Sequence, residues 1–222
     1  MEINYMYKLL TNMPLLQGIN GIDLARLESK VQMDFVHYTE NNGLFIKQEA
    51  KCQDLMFLAT GEICRHFEHP NNLFQYTEYI SAPHVIEPES LFGLRPQYKS
   101  SYKAAKECDI LTIRKGDVIH TLMLNDVFRI NYLNMLSANI HKLNMQLLRC
   151  KKSDTNTKIK QFLKSIAVSP TGEKTLCIKM TVLADMIDET RLNVSRALNE
   201  MESAGLVSLH RKEIIISDLN SL

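Results

Sequence analysis

Apolar residues recur at helical spacing in two short runs towards the end of the chain, whereas its first half shows brief strand-like runs broken by turns. Within 179–218, Thr181 is placed to cap a helix that carries Val182, Leu183, Met186 and Ile187 at helical spacing, and the period breaks at Asp188-Glu189-Thr190. Thr190 is placed to cap a second helix. There Val194, Ala197, Leu198 and Met201 share one face, and Arg191, Leu192, Asn193, Ser195, Arg196 and Asn199 fill the others. Gly205 ends that run, and two strands, 206–209 and 213–216, flank a basic turn at His210-Arg211-Lys212. Any three-helix domain with a hairpin shares these periods. What sets this segment apart is the sequence of turn, polar helix start and basic hairpin, which is that of a winged helix-turn-helix. A helix with one oily face and long hydrogen-bonding side chains near its start lies on a core and points outward. Arg191 and Arg196 have the geometry for a bidentate pair with guanine O6 and N7 or for phosphate, and Asn193 and Ser195 are open in the same way. Arg211 and Lys212, in the hairpin, suit phosphate better than base edges.

Upstream, Ile22, Leu24, Leu27 and Val31 suggest a helix, followed by strands at 35–38, 43–46, 54–58, 62–65 and 77–80. Ala104-Ala105 and 109–113 read as further strand, with an exit into a helix at Arg114-Lys115-Gly116-Asp117. Strands so short and frequent indicate a β-roll or sandwich. Between the two halves, Leu133, Leu136, Ile140, Leu143 and Leu147 repeat with spacings of 3, 4, 3 and 4, a heptad seam that Cys150 continues. So narrow a seam suits a partner helix better than a broad sheet, which favours a parallel two-stranded coiled coil over a long helix packed on its own barrel. The polar stretch 151–156 lacks the seam and reads as a hinge, with Ser153 or Asp154 capping a helix over 157–168.

Composition bounds this picture without adding to it. A chain of 222 residues with 45% hydrophobic residues is long for one domain and comfortable for two. The net charge of +1, with 11 basic and 9 acidic residues in 150–222, means that any surface for nucleic acid is a local patch. No Arg-rich leader, signal layout or apolar run of about 18 residues is present, so a cytoplasmic location without membrane contact is expected. Cys52, Cys64, Cys108, Cys150 and Cys177 are scattered and read as reduced thiols. Of seven histidines, only His66 and His69 are close, at poor spacing for a metal.

The segment Thr190-Arg191-Leu192-Asn193-Val194-Ser195-Arg196 resembles the start of the recognition helix in the Crp/Fnr family of bacterial transcription regulators, departing at Leu192, where that family often has a glutamate that accepts from cytosine. The resemblance extends to 54–65, similar to the strand-Gly-strand turn of cyclic-nucleotide-binding jelly rolls, with Gly61 at the turn. It implies an α+β fold: an N-terminal double-stranded β-helix (jelly roll) at 1–118 as sensor, a long dimerisation helix and hinge at 119–152, and a C-terminal winged helix-turn-helix at 153–222. It implies a homodimer on a palindromic duplex DNA site, with RNA polymerase as a further partner if the chain activates transcription. The family's phosphate grip aligns with Pro88-Glu89-Ser90-Leu91 and Lys99-Ser100-Ser101, which makes Glu89, Ser90, Lys99 and Ser100 the effector-site candidates. Lysine in place of arginine loses the planar fork, and Pro88 in place of glycine lacks an N–H. Cyclic AMP is therefore not the expected ligand, and no iron-sulfur cluster is expected, because no cysteine precedes Cys52. No enzymatic activity is expected. Two alternatives stay open: a DNA-binding repressor without an effector, and a cupin-like metal enzyme fused to a DNA-binding domain.

Overall fold

The computed structural model describes residues 3–149 and 154–222, and side chains except those of 3–6 and 146–149. The side chain of Leu147, the seam position Cys150 and the first hinge residues Lys151, Lys152 and Ser153 lie outside the described residues. Helices α1 (Ile3–Asn12) and α2 (Gly21–Glu28) precede strands β1 (Met33–Tyr38), β2 (Asp54–Thr60), β3 (Glu62–Glu68), β4 (Phe74–Ser81), β5 (His84–Ile86), β6 (Ser101–Ala104) and β7 (Cys108–Arg114). Helices α3 (Lys115–His120), α4 (Asp126–Arg149) and α5 (Thr155–Ile166) follow. The chain ends with β8 (Lys174–Ile178), α6 (Met180–Met186), α7 (Arg191–Ser203), β9 (Ser208–His210) and β10 (Glu213–Ile216). The fold is the mixed α+β arrangement expected. It forms two compact units, Met1–Ile63 with Ser81–Asn139, and Cys64–Ile80 with Ile140–Leu222.

In the first unit a four-stranded antiparallel sheet runs β1-β7-β2-β5, and the described strands do not close into a barrel. Cys108, Ile110, Leu111 and Ile113 of β7 and Leu55, Phe57 and Leu58 of β2 are buried, so the two central strands supply much of the core. Gly61 makes the expected turn between β2 and β3, at φ +79°, and a Cβ there would lie 2.0 Å from the Glu107 carbonyl oxygen. The turn thus requires glycine twice over, for its backbone angle and for the close approach of another strand. Asn20 caps α2 by accepting from the Asp23 N–H at 2.9 Å, and Leu24 and Leu27 are buried. Ile22, more than half a helical turn from Leu24, is exposed. The strand expected at 43–46 does not form: the segment makes a single bridge from Ile46 to Tyr102, and Leu44 is exposed.

In the second unit the strands run β3-β4-β8-β10-β9. β4 alternates strictly, so that Phe74, Tyr76, Glu78 and Ile80 face inward, and it pairs antiparallel with β8 from Phe74 opposite Ile178 to Glu78 opposite Lys174. Phe74 and Tyr76 join Leu163, Leu183, Leu198 and Ile214 in one core. Asp154, one of the two expected caps, accepts from the Thr157 N–H at 3.0 Å and starts α5. Thr181 does not cap α6. Because β8 runs to Ile178, the helix begins at Met180 with Lys179 at its cap position, and Thr181 lies exposed within the first turn. Leu183, Ala184 and Ile187 form the buried arc of that helix, and Met186 falls outside it.

Candidate nucleic-acid interface

The turn between α6 and α7 is a Schellman motif. The Glu189 N–H donates to the Ala184 carbonyl at 3.0 Å, the Asp188 N–H to that of Asp185 at 3.4 Å, and Asp188 stands at φ +53°. A side-chain bridge reinforces it. The Lys158 ammonium donates to Glu189 Oε1 at 2.7 Å and to the Asp188 carbonyl at 3.1 Å, while Asn193 Nδ2 donates to Glu189 Oε2 at 3.1 Å. The Lys158 hydrogen bond first, and that of Asn193 next, hold the Glu189 carboxyl below its ordinary range. A group depressed in this way contributes stability above its unfolded pKa and loses it as pH falls through the folded value. Lowering pH from about 5 towards 3 should therefore cost the Asn193 and Val194 amides protection against hydrogen exchange, and Glu189→Gln should remove that pH dependence.

Thr190 caps α7 as expected, its Oγ1 accepting from the Asn193 N–H at 3.2 Å. Val194, Ala197, Leu198 and Met201 are buried, as their spacing predicts. The opposite face carries Leu192, Arg196, Asn199 and Ser203, successive at four, three and four residues, and borders an open concavity of about 680 Å³. Arg191 and Arg196 are exposed, Ser195 is half-buried, and Asn193 is half-buried with its amide turned to Glu189. Gly205, at φ +71°, ends the helix in a second Schellman turn, with the Leu206 N–H on the Met201 carbonyl at 2.9 Å. The hairpin that follows pairs Glu213 with His210 and Ile214 with Leu209, which puts exposed Arg211 and Lys212 at its tip. Glu202 of α7 accepts from the Leu209 N–H at 2.9 Å and so ties the hairpin to the helix. Lys158, Glu189 and Glu202 are positioning residues that sequence reading missed. Their roles depend on partners 4 to 31 residues away, and no local spacing marks them.

On α4, Leu133, Ile140 and Leu143 are 55, 59 and 57% exposed, and Leu136 is half-buried. In the roll, Pro88–Ser90 forms a single 3-10 turn. Glu89 and Lys99 form a solvated ion pair at 3.6 Å. Ser90 and Ser100 are buried. Ser90 donates through Oγ to Glu87 Oε2 at 3.0 Å, a residue outside the expected set. Of the four effector candidates, Ser90 and the backbone of Lys99 meet the Glu87 carboxylate, and Glu89 meets the Lys99 ammonium.

Cys52, Cys64 and Cys108 are buried thiols, and Cys177 is a half-buried one. His66 meets Thr77 Oγ1 at 2.9 Å, and His69 lies 5.2 Å from the Phe74 ring centre. Among the described residues no group of three or more His, Cys, Asp or Glu side chains is placed to hold a metal, and no helix is long and apolar enough to cross a membrane.

Residues 157–222 match the model of the Crp-like helix-turn-helix domain. No curated protein matches the sequence. Among solved structures, the chain is similar to the Catabolite Activator Protein of Thermus thermophilus, with 16% identity over 94% of this chain and 95% of that one and a TM-score of 0.51. It is similar to a transcriptional regulator described as of the crp/fnr family from Eubacterium rectale, with 18% identity, coverage of 95% and 98%, and a TM-score of 0.51. It is also similar to the c-di-GMP responsive global regulator CLP of Xanthomonas campestris, with 15% identity, coverage of 89% and 99%, and a TM-score of 0.50. At these identities the likeness is one of fold.

Proposed function

We infer that this chain is a homodimeric, sequence-specific DNA-binding regulator of transcription of the Crp/Fnr type that acts in the cytoplasm; its residues 157–222 match the Crp-like helix-turn-helix domain. The observation that carries this reading is α7: capped by Thr190, buried along one side, and bearing Arg191 and Arg196 exposed beside a basic hairpin tip. Two such helices about 34 Å apart would read a palindrome. The exposed leucines of α4 support the dimer, because an apolar stripe on a long helix loses its contact with water when a second copy covers it. Leu192 is 68% exposed on the outward face of α7. A leucine there cannot accept from cytosine and suits a thymine methyl, so the half-site differs from those read through glutamate. The roll is proposed to bias the hinge under a small effector other than cyclic AMP. Pro88 offers no N–H, and the Lys99 ammonium is engaged by Glu89.

Arg196→Ala is expected to weaken binding to the selected site by about 1 to 3 kcal/mol, with discrimination lost at one base position. Titration against the site and its single-base variants checks this. An equal loss on every sequence would assign Arg196 to phosphate.

A further inference from the structure

We propose that the anion slot of the roll is filled by the chain itself: the Glu87 carboxylate is a tethered ligand, held by donors that would otherwise serve a free phosphate or carboxylate. Glu87 is only 7% exposed. Its Oε2 accepts from the Lys99 N–H at 2.7 Å and from Ser90 Oγ at 3.0 Å, and its Oε1 accepts from the Tyr102 hydroxyl at 3.0 Å. Three donors from two separate stretches of chain thus converge on both oxygens, as they would on two terminal oxygens of a bound anion. Neither half is stable alone. A buried carboxylate without donors is costly, and so are buried donors without an acceptor.

The backbone supports this reading. Glu87 stands at φ 38°, ψ 58°, in the left-handed region, directly before Pro88. A residue with a side chain enters that region at a cost, and a following proline restricts it further. Glycine would adopt the angle freely, so the glutamate is there for its carboxylate. The Tyr132 hydroxyl donates to the Pro88 carbonyl and fixes the turn from α4. Lys99 gives the slot its backbone N–H, whereas its ammonium lies 3.6 Å from Glu89 and is largely exposed. A tethered carboxylate competes at an effective concentration on the order of millimolar or more, so a free anion must first expel Glu87 from its donors. An effector, where there is one, acts without this slot.

The inference deepens the regulatory half of the proposed function and rests on it for its meaning. Its test uses the full chain without DNA, so failure here leaves the DNA-binding reading standing, and failure of DNA binding leaves the slot untouched. Thermal unfolding of the wild type should be unmoved by millimolar cyclic AMP or cyclic GMP. Glu87→Ala should lower the midpoint by about 5 °C and recover part of that loss in acetate or inorganic phosphate, at concentrations that shift the wild type less. Acetate recovery alone would mark a carboxylate slot, and phosphate recovery a wider one; either supports the proposal. A rise of the wild-type midpoint with a cyclic nucleotide would overturn it, and so would a Glu87→Ala midpoint that no anion moves beyond the wild-type response. Should Glu87→Ala fail to fold, Glu87→Gln, Tyr102→Phe and their double variant replace it. Non-additive losses support the slot, and additive ones contradict it.

Discussion

Glu78→Ala should destabilise the protein by about 3 to 5 kcal/mol, the largest loss expected of any substitution discussed for this chain. Glu78 is fully buried on the inward face of β4. Its Oε1 accepts from Arg65 Nη1 at 2.6 Å, and its two oxygens accept from the Val168 N–H at 3.0 and 3.2 Å, with the Ser169 N–H at 3.3 Å. Lys174, opposite Glu78 on β8, is also fully buried and donates to the Thr171 and Gly172 carbonyls at 2.7 Å each. Burial pushes the Lys174 pKa down, and the Glu78 charge opposes that shift. Removing the carboxylate would take from buried Arg65 its hydrogen-bonded counter-charge, leave Lys174 with the weaker attraction of Asp218, and leave two backbone N–H groups without their acceptor. The same carboxylate joins β4 to the segment that leads from α5 into β8, so the loss should appear in the unit that contains the helix-turn-helix. Denaturant unfolding measures it, and a loss below about 1 kcal/mol would show that Arg65 and Lys174 find other acceptors.

Ile140→Asp should convert the protein to a monomer and reduce its affinity for a two-fold site by about 100-fold or more. Ile140 is 59% exposed, near the middle of the seam formed with Leu133, Leu136 and Leu143, so it contributes little to the fold of one chain. In a dimer it would be covered, and a carboxylate there would be desolvated without a partner. Once the second recognition helix is no longer held at a fixed distance, binding reverts to that of one half-site. Sedimentation of the variant is the check. A species that stays dimeric would refute the coiled-coil reading while leaving the recognition helix in place.

The helix-turn-helix was legible because its determinants are local. Helical spacing marks the buried face of α7, Thr190 its cap and Gly205 its end, and a basic pair marks the hairpin tip. Gly61 was legible for the same reason, since a turn with positive φ selects glycine. Thr181 misled because it is a good cap residue placed one residue beyond where β8 lets α6 begin. The run at 43–46 misled because an apolar cluster does not itself supply a pairing partner. β8 escaped notice because it is short and opens with Lys174, a residue that reads as solvent-facing and is fully buried opposite Glu78. Arg65, Glu78, Glu87 and Lys158 share this character. Each looks like an ordinary surface charge in sequence and becomes a structural element only when partners far along the chain arrive.

DNA reading by α7 is tested by selection of duplex DNA from a random library by the purified chain at one fixed salt concentration, without added nucleotide, alongside Arg196→Ala. Enrichment of a palindrome whose half-sites are centred about one helical turn apart is expected, with loss of at least one selected base position in the variant. Recovery of no shared sequence would contradict the claim that α7 reads DNA through its outward face, whereas the same sequence with wild type and variant would assign Arg196 to phosphate.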